Sequence, residues 1–164
     1  MATQILDHNE ILHKNRRIAY QIAEVFSEES DIILAGISGQ GYLFAEMLAE
    51  TLVDICSLDV TLCKVEIDKK SPLEPISTSL ELENISNGNV VLCDDVLNSG
   101  TTLIYAIRHL LQVPLKKFKT AVLVNRNHKK YPVKADFKGI SLSTTLENHI
   151  KVNLREEPYT ALLE

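Results

Sequence analysis

Cysteine is scarce in this chain, and the three present, Cys56, Cys63 and Cys93, stand in neither a CxxC nor a Cys/His spacing. That argues against a disulfide framework or a zinc site and makes a reducing cytoplasm the expected compartment. Long apolar runs are also missing: none approaches the ~18 residues of a membrane-span candidate, so no membrane role is expected. The opening MATQILDHNE puts polar and acidic residues where a signal peptide has a basic start and an apolar stretch. Basic residues are in deficit. The formal net charge of −5 argues against nucleic acid as the main partner, because a phosphate backbone demands a basic face. Glycine and proline are few, and no internal repeat or low-complexity linker divides the sequence. A single domain over residues 1–164 is therefore expected, long enough to bury a core without staples.

What is present alternates. Ile11, Ile18, Ala19, Ile22, Val25 and Phe26 recur at helical spacing, and the short apolar run Ile32-Ile33-Leu34-Ala35 follows. That run ends in the glycine turn Gly36-Ile-Ser-Gly-Gln-Gly41, and a second helical pattern runs through Leu43, Phe44, Met47, Leu48 and Leu52. Residues 58–65 read as a strand. Residues 64–84, with two prolines, three lysines and several acids and serines, read as an exposed, mobile excursion with a hairpin of its own. Val90-Val91-Leu92-Cys93 reads as a buried strand that stops at Asp94-Asp95 and turns through Asn98-Ser99-Gly100 into a helix. Leu103, Ile104, Ile107, Leu110 and Leu111 give that helix its buried face. Ala121-Val-Leu-Val124 is the next strand, with shorter extended pieces near 135–140 and 149–154. Such alternation predicts an α/β protein with a mostly parallel central sheet and helices on both faces. Ligands of such sheets bind beyond the carboxyl ends of the strands, where both glycine turns lie.

Residues 90–102, VVLCDDVLNSGTT, carry the chemistry. A buried strand delivers two carboxylates to the sheet edge, and a small-residue turn then opens a helix. Asn98, Ser99, Gly100, Thr101 and Thr102 offer backbone N–H groups and side-chain donors to one anion, and a helix N-terminus favours a phosphate. Two carboxylates touching that phosphate would repel it. They make sense facing hydroxyl groups, so a ribose 5-phosphate suits the arrangement. Acidic metal clusters and receiver domains also carry an Asp pair after a strand. A receiver, however, places it after its first strand and needs a further Asp after its third. The turn alone is equally consistent with a plain helix cap; strand, acids and turn together favour the ligand.

This segment closely resembles the PRPP-binding signature of type I phosphoribosyltransferases, PRPP being phosphoribosyl pyrophosphate. Asn125-Arg-Asn-His-Lys-Lys-Tyr-Pro132, followed by Lys134-Ala-Asp-Phe-Lys-Gly139, is similar to the pyrimidine operon attenuator/uracil phosphoribosyltransferase (PyrR-like) group, as is Arg17-Ile-Ala-Tyr-Gln-Ile-Ala near the start. The resemblance implies a single-domain, three-layer type I phosphoribosyltransferase fold with a small C-terminal hood. It implies that Asp94 and Asp95 are catalytic acids on the ribose, that Asn98, Ser99, Gly100, Thr101 and Thr102 cradle the 5-phosphate, and that Ser38, Gly39, Gln40 and Gly41 hold pyrophosphate. It places the base near Arg126, Phe137, Lys138 and Gly139, with core packing the equal alternative for Phe137. It makes residues 64–84 the mobile catalytic loop, whose Lys64, Lys69 and Lys70 meet pyrophosphate or solvent. The implied cofactor is Mg2+ held mainly by PRPP, the implied partners PRPP and a nucleobase, a pyrimidine such as uracil favoured, and the implied assembly a homodimer. RNA is the disfavoured partner, since a solvated helix face explains Lys14, Arg16 and Arg17 and a charged loop explains Lys116, Lys117 and Lys119. The sequence departs from the group where Gly39-Gln40-Gly41 replaces Thr-Arg-Gly and where Asn98-Ser-Gly-Thr-Thr102 replaces Tyr-Thr-Gly-Arg-Thr. At Asn98 the enzymes for 6-oxopurines carry an acid instead.

Overall fold

The computed structural model describes every residue except Asn127, which falls inside the Arg-x-His motif, and Leu146. A short strand, β1 (Thr3–Leu6), leads into helix α1 (His8–Val25). Asp7 and Glu10 form a reciprocal capping box at the start of α1: Glu10 N–H donates to Asp7 Oδ1 at 2.8 Å and Asp7 N–H to Glu10 Oε2 at 3.2 Å. Strand β2 (Asp31–Ile37), helix α2 (Gln40–Ile55) and strand β3 (Asp59–Glu66) follow. The excursion after β3 contains β4 (Ser77–Thr78) and α3 (Leu82–Ile85), and β4 folds back antiparallel on β3 through Val65 and Thr78. Strand β5 (Asn89–Leu97), helix α4 (Thr101–Leu110), strand β6 (Lys117–Arg126) and strand β7 (Phe137–Leu142) complete the main body.

The six strands lie in the order β4-β3-β2-β5-β6-β7, parallel except for β4. One apolar core unites α1 and α2 with one face of the sheet, through Ile11, Ile18, Ile22, Phe44, Leu48 and Leu52. The other gathers Leu103, Ala106 and Leu110 of α4 over Val90, Leu92 and Val122. Each fully buried Leu, Ile or Phe contributes on the order of 1.5–3 kcal/mol, so the two faces together fix the three layers. Between β2 and β5 the chain changes direction of travel across the sheet: β3 lies on one side, β6 and β7 on the other. The carboxyl ends of β2 and β5 therefore flank a topological switch point, the crevice where such sheets bind ligands.

Three expectations are corrected. β5 does not stop at the acids but runs on to Leu97, because β6 keeps pairing beside it, Asp94 with Val122, Val96 with Val124 and Leu97 with Asn125. Leu111 is not on the buried face; it lies past the last turn of α4 and is 55% exposed. The hood is not C-terminal alone. It is a three-stranded antiparallel sheet in which β1 pairs β9 (Thr160–Leu163), and β9 pairs β8 (Ile150–Asn153). Among the described residues, no helix is long and apolar enough to cross a membrane.

Candidate active site

The extended β5 presents its two acids differently. Asp94 is buried and Asp95 half-buried, and the Asp95 N–H donates to Asp94 Oδ1 at 2.9 Å. Burial first, and then the charge of Asp95, push the Asp94 carboxyl well above the usual carboxylate range; Lys69, with Nζ 4.0 Å from Asp94 Oδ1, partly opposes the shift. Gly41, in the first turn of α2, seals the other side of Asp94. A Cβ there would stand 2.9 Å from Asp94 Oδ1 and 3.1 Å from its Cα. The glycine turn after β2 and Asp94 of β5 thus form one wall. Neighbouring Cys93 is buried, and burial pushes its thiol up, away from the thiolate that chemistry would need.

Beyond the acids, the chain turns into α4 over residues 98–102. Gly100 has φ +88°, and a Cβ there would meet Val133 Cγ1 at 2.5 Å, so both conformation and space require glycine. Ser99 Oγ and Thr101 Oγ1 share a hydrogen bond of 2.8 Å, and the Ser99 carbonyl accepts from the N–H groups of Lys130 (2.8 Å) and Tyr131 (3.2 Å). The start of α4 differs in kind from that of α1. Its N-cap position is Gly100, with no side-chain cap, and α2 likewise starts from Gly39 with none. At α4 the Thr101 N–H donates to Ser99 Oγ at 3.3 Å, and the first-turn N–H groups behind it suit an anion, as do those that open α2.

A cavity of about 400 Å³ opens here, lined by Lys69, residues 94–103 and Ile150 of the hood. It brings together both acids and the whole 98–102 turn. Of the three lysines of the excursion, Lys69 reaches it; Lys64 lies over the Tyr42 ring, 4.7 Å from its centroid. Ile150 was beyond sequence reasoning, since an isoleucine in a short strand carries no signal of a site. Three other hollows do not join an acid pair to a small-residue turn: one of about 230 Å³ between the excursion and α4, one of about 310 Å³ beside Asp31 and Asp59, and a more open one of about 560 Å³ against α2 and β3, edged by Glu46, Glu50 and Asp54.

The remaining expected site residues lie outside this lining. Ser38 gives its N–H to the Val65 carbonyl at 2.8 Å, and Gln40 Oε1 accepts the Leu154 N–H of the hood at 2.7 Å. The first intrahelical bond of α2, Leu43 N–H to Gly39 O, leaves the N–H groups of Gln40, Gly41 and Tyr42 ahead of it. Arg126 is buried, and its guanidinium bonds Asn98, Thr144 and Thr145. Phe137 packs in the core beside α1 and α2. The carbonyls of Lys138 and Gly139 both accept from Arg17 of α1, at 3.1 and 2.7 Å. A Cβ on Gly139 would stand 2.3 Å from the Leu123 carbonyl oxygen, so close packing of β7 on β6 accounts for this glycine. Among the described residues, no cluster of three or more His, Cys, Asp or Glu could hold a metal ion. Two carboxylates suit a magnesium ion that keeps its waters and takes its other ligands from phosphate oxygens, rather than one caged by protein.

The phosphoribosyl transferase domain family matches residues 1–157. The chain is 34% identical over 164 residues to the bifunctional protein PyrR of Streptomyces coelicolor, covering 95% of this chain and 85% of that one. It is 32% identical over 166 residues to the bifunctional protein PyrR of Latilactobacillus sakei, covering 95% and 93%. In structure it resembles a hypoxanthine-guanine phosphoribosyltransferase from Bacillus anthracis, with a TM-score of 0.80 at 20% identity over 99% of this chain and 96% of that one. The hypoxanthine phosphoribosyltransferase of Trypanosoma cruzi gives 0.80 at 16%, again over 99% and 96%. These two show the shared fold alone. A family match along nearly the whole chain, with relatives alike over most of their own length, leads to one conclusion: the chain belongs to the phosphoribosyltransferase family of enzymes and, within it, to the PyrR group.

Proposed function

We propose that the chain transfers the 5-phosphoribosyl group of PRPP to a nucleobase, a pyrimidine such as uracil, with release of pyrophosphate. The observation that carries this reading is the single cavity shared by Asp94, Asp95 and the turn 98–102 that opens α4. The 5-phosphate sits at the α4 N-terminus, held by backbone N–H groups and by the hydroxyls of Ser99, Thr101 and Thr102. Asp94 and Asp95 face the ribose hydroxyls. The first-turn N–H groups of α2, at Gln40 and Gly41, meet the pyrophosphate. In the reaction the bond from the anomeric carbon to the pyrophosphate oxygen breaks, and a bond to a base nitrogen forms as that nitrogen gives up its proton. Positive charge grows on the sugar while pyrophosphate leaves, so fixed dipoles and water exclusion lower the barrier. Lys69, with Nζ 4.0 Å from Asp94 Oδ1, supports a role for the excursion 64–84 in closing over the leaving group. A magnesium ion, bound chiefly through PRPP, supplies charge neutralisation on the diphosphate.

Support for a pyrimidine comes from the PyrR-like segments at residues 125–139 and from the 5-phosphate turn, where Asn98 stands in place of the acid that 6-oxopurine enzymes carry there. The acceptor base is read against Ile150, on the hood side of the cavity. Three free cysteines suit a cytoplasmic setting. A second reading, a PRPP- or nucleotide-binding regulator without turnover, draws on Gln40: at a position where the group carries arginine, its side chain holds the hood. Pyrophosphate release from PRPP and magnesium, measured with uracil, orotate, hypoxanthine, guanine, xanthine and adenine in parallel, separates the two. Release with uracil alone supports the proposal, and release with a purine alone overturns the pyrimidine assignment. PRPP binding with silence across all six selects the regulator. A tight, strongly salt-dependent affinity for an RNA hairpin would raise an RNA-binding role above both.

A further inference from the structure

Two side chains tie the segments on either side of the hood strand β8 to the 98–102 turn and to the start of α2. On the segment ahead of β8, Arg126 donates from Nε and Nη2 to Thr144 Oγ1 (3.0 and 2.7 Å) and from Nη2 to the Thr145 carbonyl (3.0 Å), while its Nη1 donates to Asn98 Oδ1 (3.0 Å). His128 Nε2 also contacts the Thr144 carbonyl. At the trailing end, Gln40 Oε1 accepts the Leu154 N–H at 2.7 Å. Between these ties lies β8, whose first residue, Ile150, lines the cavity.

The chemistry of Arg126 makes the first tie stiff. The residue is 6% exposed, and a buried guanidinium is costly unless its N–H groups are met. Its planar fork fixes the relative placement of whatever it holds. One arm grips the residue that opens the 5-phosphate turn, while the other grips the approach to β8. The second tie has the same form on the other loop: the residue that opens α2, at the pyrophosphate side, holds the residue that follows β8.

We propose that Arg126 and Gln40 are positioning residues that couple filling of the two phosphate turns to the placement of β8. Arg126 then acts on the acceptor base through Thr144 and Thr145, without touching it. The inference rests on the PRPP reading above and adds to it a route from the phosphate turns to the acceptor side.

The test compares wild type with Thr144→Val, which removes only the hydroxyl that Arg126 grips, and with Gln40→Ala, which keeps the backbone N–H. Hydrogen exchange of β8 is followed with and without PRPP and magnesium, alongside the KM for PRPP and for the accepted base. In wild type, PRPP should slow exchange in β8. In each variant that slowing should shrink, and the base KM should rise about tenfold, the scale of one hydrogen bond, while the KM for PRPP moves less than about threefold. Circular dichroism identifies a variant that fails to fold, and the other then decides. Equal slowing of β8 in both variants, or a rise in both KM values together, overturns the coupling and leaves the PRPP reading standing. Absence of PRPP binding to wild type overturns both.

Discussion

Burial, reinforced by the charge of Asp95, raises the carboxyl of Asp94 above its ordinary value of 3.8, and Lys69 offsets only part of this. The folded chain therefore holds that proton more tightly than the unfolded chain does. The stability contribution is fully present below the unfolded pKa and is lost as pH rises through the raised folded value. Asp94→Asn removes that loss. Its Tm at neutral pH should exceed that of wild type, by roughly 2–4 °C for each kcal/mol recovered, and should vary less between mildly acidic and neutral pH. In the pyrophosphate-release assay the same variant should fall by about 100-fold, the scale of a lost electrostatic contact to a transition state. Calorimetry across pH and the assay together check both halves; a variant that is less stable and fully active would refute this account of Asp94. The acid pair and the 98–102 turn were legible in the sequence because strand, carboxylates and small residues are contiguous there. Arg126, Gln40 and Gly139 were not. Their type marks them as donors, or as room for a ligand, but only the fold shows that Asn98, Leu154 and the Leu123 carbonyl occupy those places.

At the scale of elements, packing of β7 against β6 and the freedom of the excursion lead to separate expectations. Gly139→Ala drives a methyl group against the Leu123 backbone and should cost about 1–3 kcal/mol. Urea unfolding should show a lower midpoint at unchanged slope; an unchanged midpoint would mean that the two strands part freely. The excursion carries exposed Lys69 and Lys70 between β3 and β4, away from the ladders. Trypsin should cut after one of them, and PRPP with magnesium should slow that cut several-fold if the segment closes over the site. Equal rates with and without ligand would remove the lid. Helices and inner strands were readable because their apolar periodicity is a local property. The extension of β5 to Leu97 was not, because the acids break the apolar run and only the partner strand β6 continues the ladder. For the same reason β1 and β9 escaped notice: each is four residues long and is stabilised by the other.

For the molecule as a whole, the PyrR group resemblance points to a homodimer, so sedimentation should give about twice the 18.4 kDa chain mass. A monomer at assay concentration that retains full turnover would show that the site needs no second copy. The sequence by itself determined the alternating α/β plan and the strand–acid–turn segment, because both depend on residues adjacent in the chain. Tertiary structure alone decided which of the three lysines reaches Asp94, that Ile150 enters the cavity, and that the hood joins both ends of the chain. Those outcomes depend on contacts between residues far apart in sequence, which side-chain type does not encode and only the packed sheet and its helices impose.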